Sequence, residues 1–172
     1  MRLRFATISV LLIAGLSGAV VDRIAVAVDN RAIKESQVEL DIRLTAFLNG
    51  TPVDTGAAAK RKAAERLIDQ TEIRAEMAKG SYPAPSDAEV RNVLEKIKQA
   101  RFRNNAEYEQ ALKTYSISEP ELKAHIGWQI QVLKFVDLRF AKAAATSNEA
   151  FFSWLDASRK HSRIQFHDEV LQ

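Results

Sequence analysis

The 172-residue chain has no cysteine, only six glycines and four prolines, and three histidines. Each scarcity excludes something. Without cysteine there is no disulfide scaffold and no thiolate metal site, and no thiol at risk in an oxidising compartment. His125, His161 and His167 sit at no metal-ligand spacing such as i, i+4 on one helix face. No glycine-rich loop offers a phosphate cradle, and no G-x-S-x-G elbow occurs. The carboxylates are interspersed with lysines and arginines, as on solvated helix faces. No base and nucleophile are set up for a shaped pocket, so the sequence points away from catalysis and calls for no cofactor, nucleotide or metal.

Long apolar runs are also missing, with one exception. Phe5 to Leu16 is a run of twelve, short of the ~20 residues of a membrane span. Arg2 and Arg4 precede it and Ser17-Gly18-Ala19 follow, the order of a secretory signal peptide with cleavage expected after Ala19. No cysteine follows to carry a lipid, so residues 1–19 read as a leader and residues 20–172 as one domain. No stable membrane insertion is expected once the leader is gone. Its removal leaves 23 basic residues against 22 acidic ones, so the pI of 9.2 owes much to the leader. A nucleic-acid partner therefore loses its electrostatic basis. Lys60-Arg61-Lys62, set among alanines, reads as a solvated helix face.

What is present is a chain that folds. It is 47% hydrophobic and 27% charged, and a domain of ~150 residues buries roughly 68–70% of its unfolded surface. Ile24 to Val28 reads as a strand, Asp29-Asn30-Arg31 as a turn, and Ala32-Ile33-Lys34 as a returning strand. Ser36 with Glu39 makes a capping box that opens a helix to about Leu48. Thr55 caps a second helix, Ala57 to Lys79, with a stripe of Ala64, Leu67, Ile68, Thr71, Ala75 and Ala78. Ser86 with Glu89 opens a third helix, and Asn105 caps a short fourth that turns Tyr108, Leu112 and Tyr115 inward. Ser118 with Glu121 opens the longest, about Glu119 to Lys142. Thr146 and Glu149 begin the last, carrying Phe151, Trp154 and Leu155. From Ile164 to Val170 apolar and polar residues alternate, with Asp168 dissonant, and this strand is expected to pair with Ile24 to Val28, because a lone hairpin is marginal in water. The class is mainly α: five or six helices, with a small antiparallel sheet formed by the N-terminal hairpin and the C-terminal strand.

The helices carry more apolar surface than one core face needs. On the longest, Leu122, Ile126, Ile130, Leu133, Val136 and Phe140 form one stripe, with Trp128, Val132 and Phe135 beside it, covering an arc of roughly 220° where ~100° suffices for a surface helix. On the first, Val38, Ile42 and Ala46 lie on one side, and Leu40, Leu44 and Phe47 on another. Either both stripes are core, or one lines a groove for extended apolar peptides. In the second case Leu40, Leu44, Phe47, Trp128 and Phe135 are the candidate groove residues.

Val21-Asp22-Arg23-Ile24 to Asn30, followed by Ile33-Lys34-Glu35-Ser36-Gln37-Val38, resembles the opening of the SurA-like family of periplasmic chaperones. Leu122, Ile126, Gln129-Ile130, Lys134 and Arg139-Phe140 are similar to the last helix of that family's N-terminal domain. Phe151-Phe152-Ser153-Trp154-Leu155 and Arg163-Ile164-Gln165-Phe166 resemble its C-terminal helix and strand. The resemblance implies a periplasmic, ATP-independent chaperone for unfolded or partly folded envelope and outer-membrane proteins, and is compatible with a homodimer. One departure matters. Relatives insert parvulin-type isomerase domains between the last two long helices, whereas here only about Ala143 to Ser147 separates them. The implied unit is the chaperone core without the isomerase. Two alternatives are a dedicated assembly partner of one envelope complex and a residual peptidyl-prolyl isomerase.

Overall fold

A computed structural model describes residues 22–141 and 146–172. The expected leader, residues 1–19, lies outside the described residues, as does most of the short junction at 143–147. In chain order come β1 (Ile24–Val28), β2 (Arg31–Lys34), α1 (Glu35–Asn49), α2 (Ala57–Met77), α3 (Asp87–Arg101), α4 (Asn105–Thr114), α5 (Glu119–Phe140), α6 (Ser147–His161) and β3 (Ile164–Phe166). The protein is mainly α, with one small antiparallel sheet of order β2-β1-β3 that joins the N-terminal hairpin to the C-terminal strand.

Asp29 makes the hairpin possible. It adopts a left-handed φ of 52°, which aspartate tolerates better than most residues. It also ties the turn to the entry of β3, its N–H donating to Arg163 O at 2.9 Å and its Oδ1 accepting from Arg163 N at 2.8 Å. β3 pairs with β1 through Val26–Phe166, Ala27–Gln165 and Val28–Ile164.

The strand ends sooner than the alternation suggests. After Phe166 the chain turns, with Val170 N–H on His167 O and Leu171 N–H on Asp168 O. The turn sends the adjacent Val170 and Leu171 both into the core, which no alternating strand can do, and leaves Asp168 outside on Arg61. Lys60 and Arg61 are thus not merely solvated. Lys60 Nζ donates to Val170 O and Gln172 O, and the Arg61 guanidinium lies 3.4 Å from the centre of the Phe166 ring.

Two of the three expected capping boxes form, at Ser86/Glu89 and Ser118/Glu121, and Thr146 with Glu149 makes a further one at the start of α6. The box expected at Ser36/Glu39 does not form. α1 starts a residue early, and Ser36 Oγ donates to Asp22 Oδ2 at 2.6 Å, while Asp22 Oδ1 accepts the Ser36 N–H at 3.2 Å. The Asp22 carboxylate, just ahead of β1, and the Gln37 carboxamide, which accepts the Lys34 N–H at 2.9 Å, therefore do the work assigned to Ser36 and Glu39. Gly56 replaces Thr55 as the α2 cap, and Asn104 replaces Asn105 at α4.

Buried side chains fall into three clusters. The sheet packs on the first half of α1 and of α2 through Val26, Val28, Val38, Ile42 and Ile68. The second half of α1 packs with α3, α4 and the start of α5 through Phe47, Leu94, Tyr108, Leu122 and Ile126. The second half of α2 packs with α6 and the end of α5 through Ile73, Met77, Phe135, Phe140 and Phe151. Helices α1, α2 and α5 each belong to two clusters. The space between the clusters is bounded by these three helices.

Candidate functional site

Of the three shared helices, α1 and α2 pack on each other, but α5 does not close over them. Between them runs a furrow whose first half, about 230 Å³, is lined by Leu40 and Leu44 of α1, Leu67 and Arg74 of α2, and Ala124 and Trp128 of α5. A second half of about 290 Å³ continues past Trp128 to Thr45, Leu48 and Asn49. Asp41, Gln70, His125 and Trp128 line both halves, so the two are one channel open along its length. Small-molecule sites are concave and enclose ~300–1,000 Å³. This trough is open along its length and not enclosed, so it suits side chains of a passing segment better than a bound metabolite.

Only part of the sequence-derived set reaches this furrow. Leu40 and Trp128 are partly buried there, and Leu44 closes its floor at 4% exposure. Phe47 and Phe135 do not line it. Both are fully buried, Phe47 among Phe102, Tyr108 and Tyr115, and Phe135 among Tyr82, Phe140 and Trp154. The reason is a matter of neighbours. The stripes of α1 and α5 predict burial or a groove equally well, and the arrival of α4 over Phe47 and of α6 over Phe135 decides for burial.

The furrow's other residues come from α2, whose inward stripe differs from the expected one. Ala63, Ala64, Ile68, Ile73 and Met77 are buried, while Leu67 is only partly so. Leu67, Gln70 and Arg74 follow one another at i, i+3 and i+7, so they share the face that lines the furrow. That spacing was legible, but two polar residues on it spoke against reading it as a face.

The polar groups of the furrow are arranged around Trp128. The Arg74 guanidinium stacks on the indole with its carbon 3.8 Å from the ring centre. Asp41, 5% exposed, is held by Arg66, whose Nε donates to Oδ2 at 2.8 Å. A buried carboxylate without such a partner would be costly. Burial pushes the His125 imidazole below its ordinary value, opposed by the nearby Asp41 charge and reinforced by Arg66. The Gln129 carboxamide donates to His125 Nε2 at 3.0 Å, which puts the imidazole proton on Nδ1.

A second polar cluster lies in the seam between α2 and α6. Glu72, 6% exposed, accepts from Ser158 Oγ at 2.7 Å through Oε2, and its Oε1 has no partner. Burial and the Glu72 charge push the neighbouring Asp69 carboxyl up to about 6, even though Arg159 reaches it at 3.0 Å. Arg159 also meets Glu65, so one guanidinium serves several carboxylates and fills the space between them. Among the described residues no group of three or more His, Asp or Glu side chains is placed to hold a metal ion. No helix among them is long and apolar enough to cross a membrane. No family model matches this chain, and neither a characterised protein nor a solved structure matches it.

Proposed function

We propose that this chain is an ATP-independent chaperone of the cell envelope, exported by residues 1–19, which holds unfolded or partly folded envelope proteins in the furrow between α1, α2 and α5. One observation carries this reading. The furrow leaves Trp128 and Leu40 only partly buried in a trough lined by residues of three helices. Apolar surface left uncovered in a concave trough is a place for an apolar occupant. Gln70 and Gln129 on its walls supply donors and acceptors for a client's main chain, so recognition by backbone bonds and tolerant apolar contacts follows. The sequence resemblance to SurA-like chaperones supports the same reading. No catalytic role is part of the proposal.

The test is aggregation of an unfolded outer-membrane protein in the presence of the mature chain. Wild-type protein is expected to delay it without ATP, and Leu40→Ala with Trp128→Ala to lose that delay at near-normal stability. If wild type at several-fold excess leaves aggregation unchanged, the chaperone reading fails. The second reading, a dedicated partner of one envelope complex, is favoured by Leu133. It lies on the stripe of α5 whose other members are buried or partly buried, yet is 66% exposed, an apolar contact point suited to one fixed subunit. A pull-down from envelope extract separates the two readings: many unfolded proteins on one side, one stoichiometric partner on the other.

A further inference from the structure

Two cations, Arg66 and Arg74, and two carboxylates, Asp41 and Glu121, line the furrow, but they do not all pair. Arg66 is paired with Asp41. The Glu121 carboxylate keeps its charge but is engaged by the capping box, its Oε2 accepting both Ser118 N–H and Ser118 Oγ–H at 2.7 Å in the first turn of α5. Arg74 has no such arrangement. Its guanidinium lies flat on the indole, and burial alone, with no carboxylate acting on it, holds it below its ordinary value. A guanidinium with one face on an indole and no carboxylate partner presents a fork of donors that a carboxylate matches in geometry and in charge. The apolar wall of Leu40, Leu67 and Trp128 stands beside this cation.

Building on the chaperone reading, we propose that the furrow selects extended client segments in which a bulky apolar residue is flanked by an acidic side chain. The apolar residue sits against Leu40, Leu67 and Trp128, and the carboxylate meets Arg74. An internal segment is the occupant and not a chain terminus, because the furrow continues beyond Trp128 to Leu48 and Asn49 and lets the client chain pass through. The selectivity is electrostatic, so it belongs to low and moderate salt and fades as the Debye length shrinks to ~3 Å near 1 M.

The experiment uses the mature chain and synthetic extended peptides, labelled for fluorescence anisotropy. The peptides carry one leucine followed by glutamate, with twins in which glutamine or lysine replaces the glutamate. The glutamate peptide is expected to bind about fivefold more tightly than its lysine twin, as befits one partly exposed charge contact. Arg74→Lys should keep the order, Arg74→Gln should abolish it, and Arg74→Glu should invert it. Chemical denaturation of each variant confirms that the fold is retained. Equal binding of the three peptides to wild type overturns the inference, as does a preference that survives in Arg74→Gln. Aggregation assays keep the two levels apart. If the protein holds unfolded envelope clients without any charge preference, only this inference falls. If it neither holds clients nor binds any peptide, the chaperone reading falls with it.

Discussion

Phe47 and Trp128 begin alike, as large aromatic residues on the apolar stripes of long helices, and end in opposite surroundings. Phe47 is fully buried with three aromatic rings within 6.4 Å and with Arg101 over its edge, donating to the Phe47 and Leu48 carbonyls at the end of α1. Trp128 packs only in part against the cluster of α2, α5 and α6, and otherwise meets one guanidinium and an open trough. The difference is not in the residue or in its own helix. It lies in how completely further helices come over the stripe, fully at Phe47 with α4 and only in part at Trp128. An apolar stripe is thus an offer of a surface, and the third element decides whether it becomes core or groove.

Truncation is the sharpest way to break that comparison. Phe47→Ala and Phe135→Ala each empty a packed aromatic site and are expected to cost about 3–5 kcal/mol, in the range measured for buried aromatics. Trp128→Ala keeps its helix and loses only a half-buried ring and its guanidinium stack, so its cost should be far smaller. Denaturant midpoints with unchanged slopes report all three. If Trp128→Ala destabilises as much as Phe47→Ala, the furrow is core in solution and the comparison collapses.

The sequence made the element order, the sheet and half of the caps legible because these are local. Ser86, Ser118 and Thr146 find their glutamate three residues on, inside one turn of helix. Asp22 was not legible as the α1 cap because it acts across the hairpin, 14 positions from Ser36. The fate of Val170 and Leu171 escaped for a related reason. Alternation through Phe166 extrapolated onto a turn whose cause is burial against α2. Of the furrow, the residues of α1 and α5 were legible as apolar surplus. Arg74 and His125 were not, since a charged residue and a lone histidine on a helix carry no signal until the packing of three helices surrounds them.

The two polar regions can be compared through acid. Burial favours neutral His125, so its folded pKa lies below the unfolded value of about 6.5. Just below pH 6.5 only the unfolded chain takes up that proton, so His125 makes stability fall as the pH drops through this window. Asp69 acts in the other sense. Its folded pKa of about 6 lies above the ordinary 3.8, so between these values only the folded chain takes up the proton, and stability rises as the pH falls from about 6. The groups facing His125 are Asp41 from α1 and Arg66 from α2, while Glu72 and Arg159 face Asp69. His125→Gln is therefore expected to raise the acid side of the stability profile relative to wild type, and Asp69→Asn to remove its gain below pH 6. Profiles of both variants that superimpose on wild type would show that neither seam titrates as its surroundings dictate.

The smallest expected effect concerns the residue next to Trp128. Gly127 stands within α5, where a glycine costs roughly 0.5–1 kcal/mol relative to alanine through backbone freedom lost on folding. A Cβ built there would lie 3.6 Å from Val90 Cγ2 and 3.7 Å from Pro85 Cγ, ordinary contact distances towards α3. No clash offsets the gain, and two apolar contacts are added. Gly127→Ala is thus expected to stabilise the protein by roughly 0.5–1 kcal/mol. The new methyl group faces α3 and not the furrow, so delay of client aggregation should be unchanged. A stabilised variant with impaired holding would mean that α5 must flex at Gly127 for the furrow to receive its client. That outcome would turn the rigid contrast between packed stripe and open stripe into a dynamic one. Unchanged holding leaves the contrast where the helices place it, in α3 beside residue 127 and the merely partial cover over residue 128.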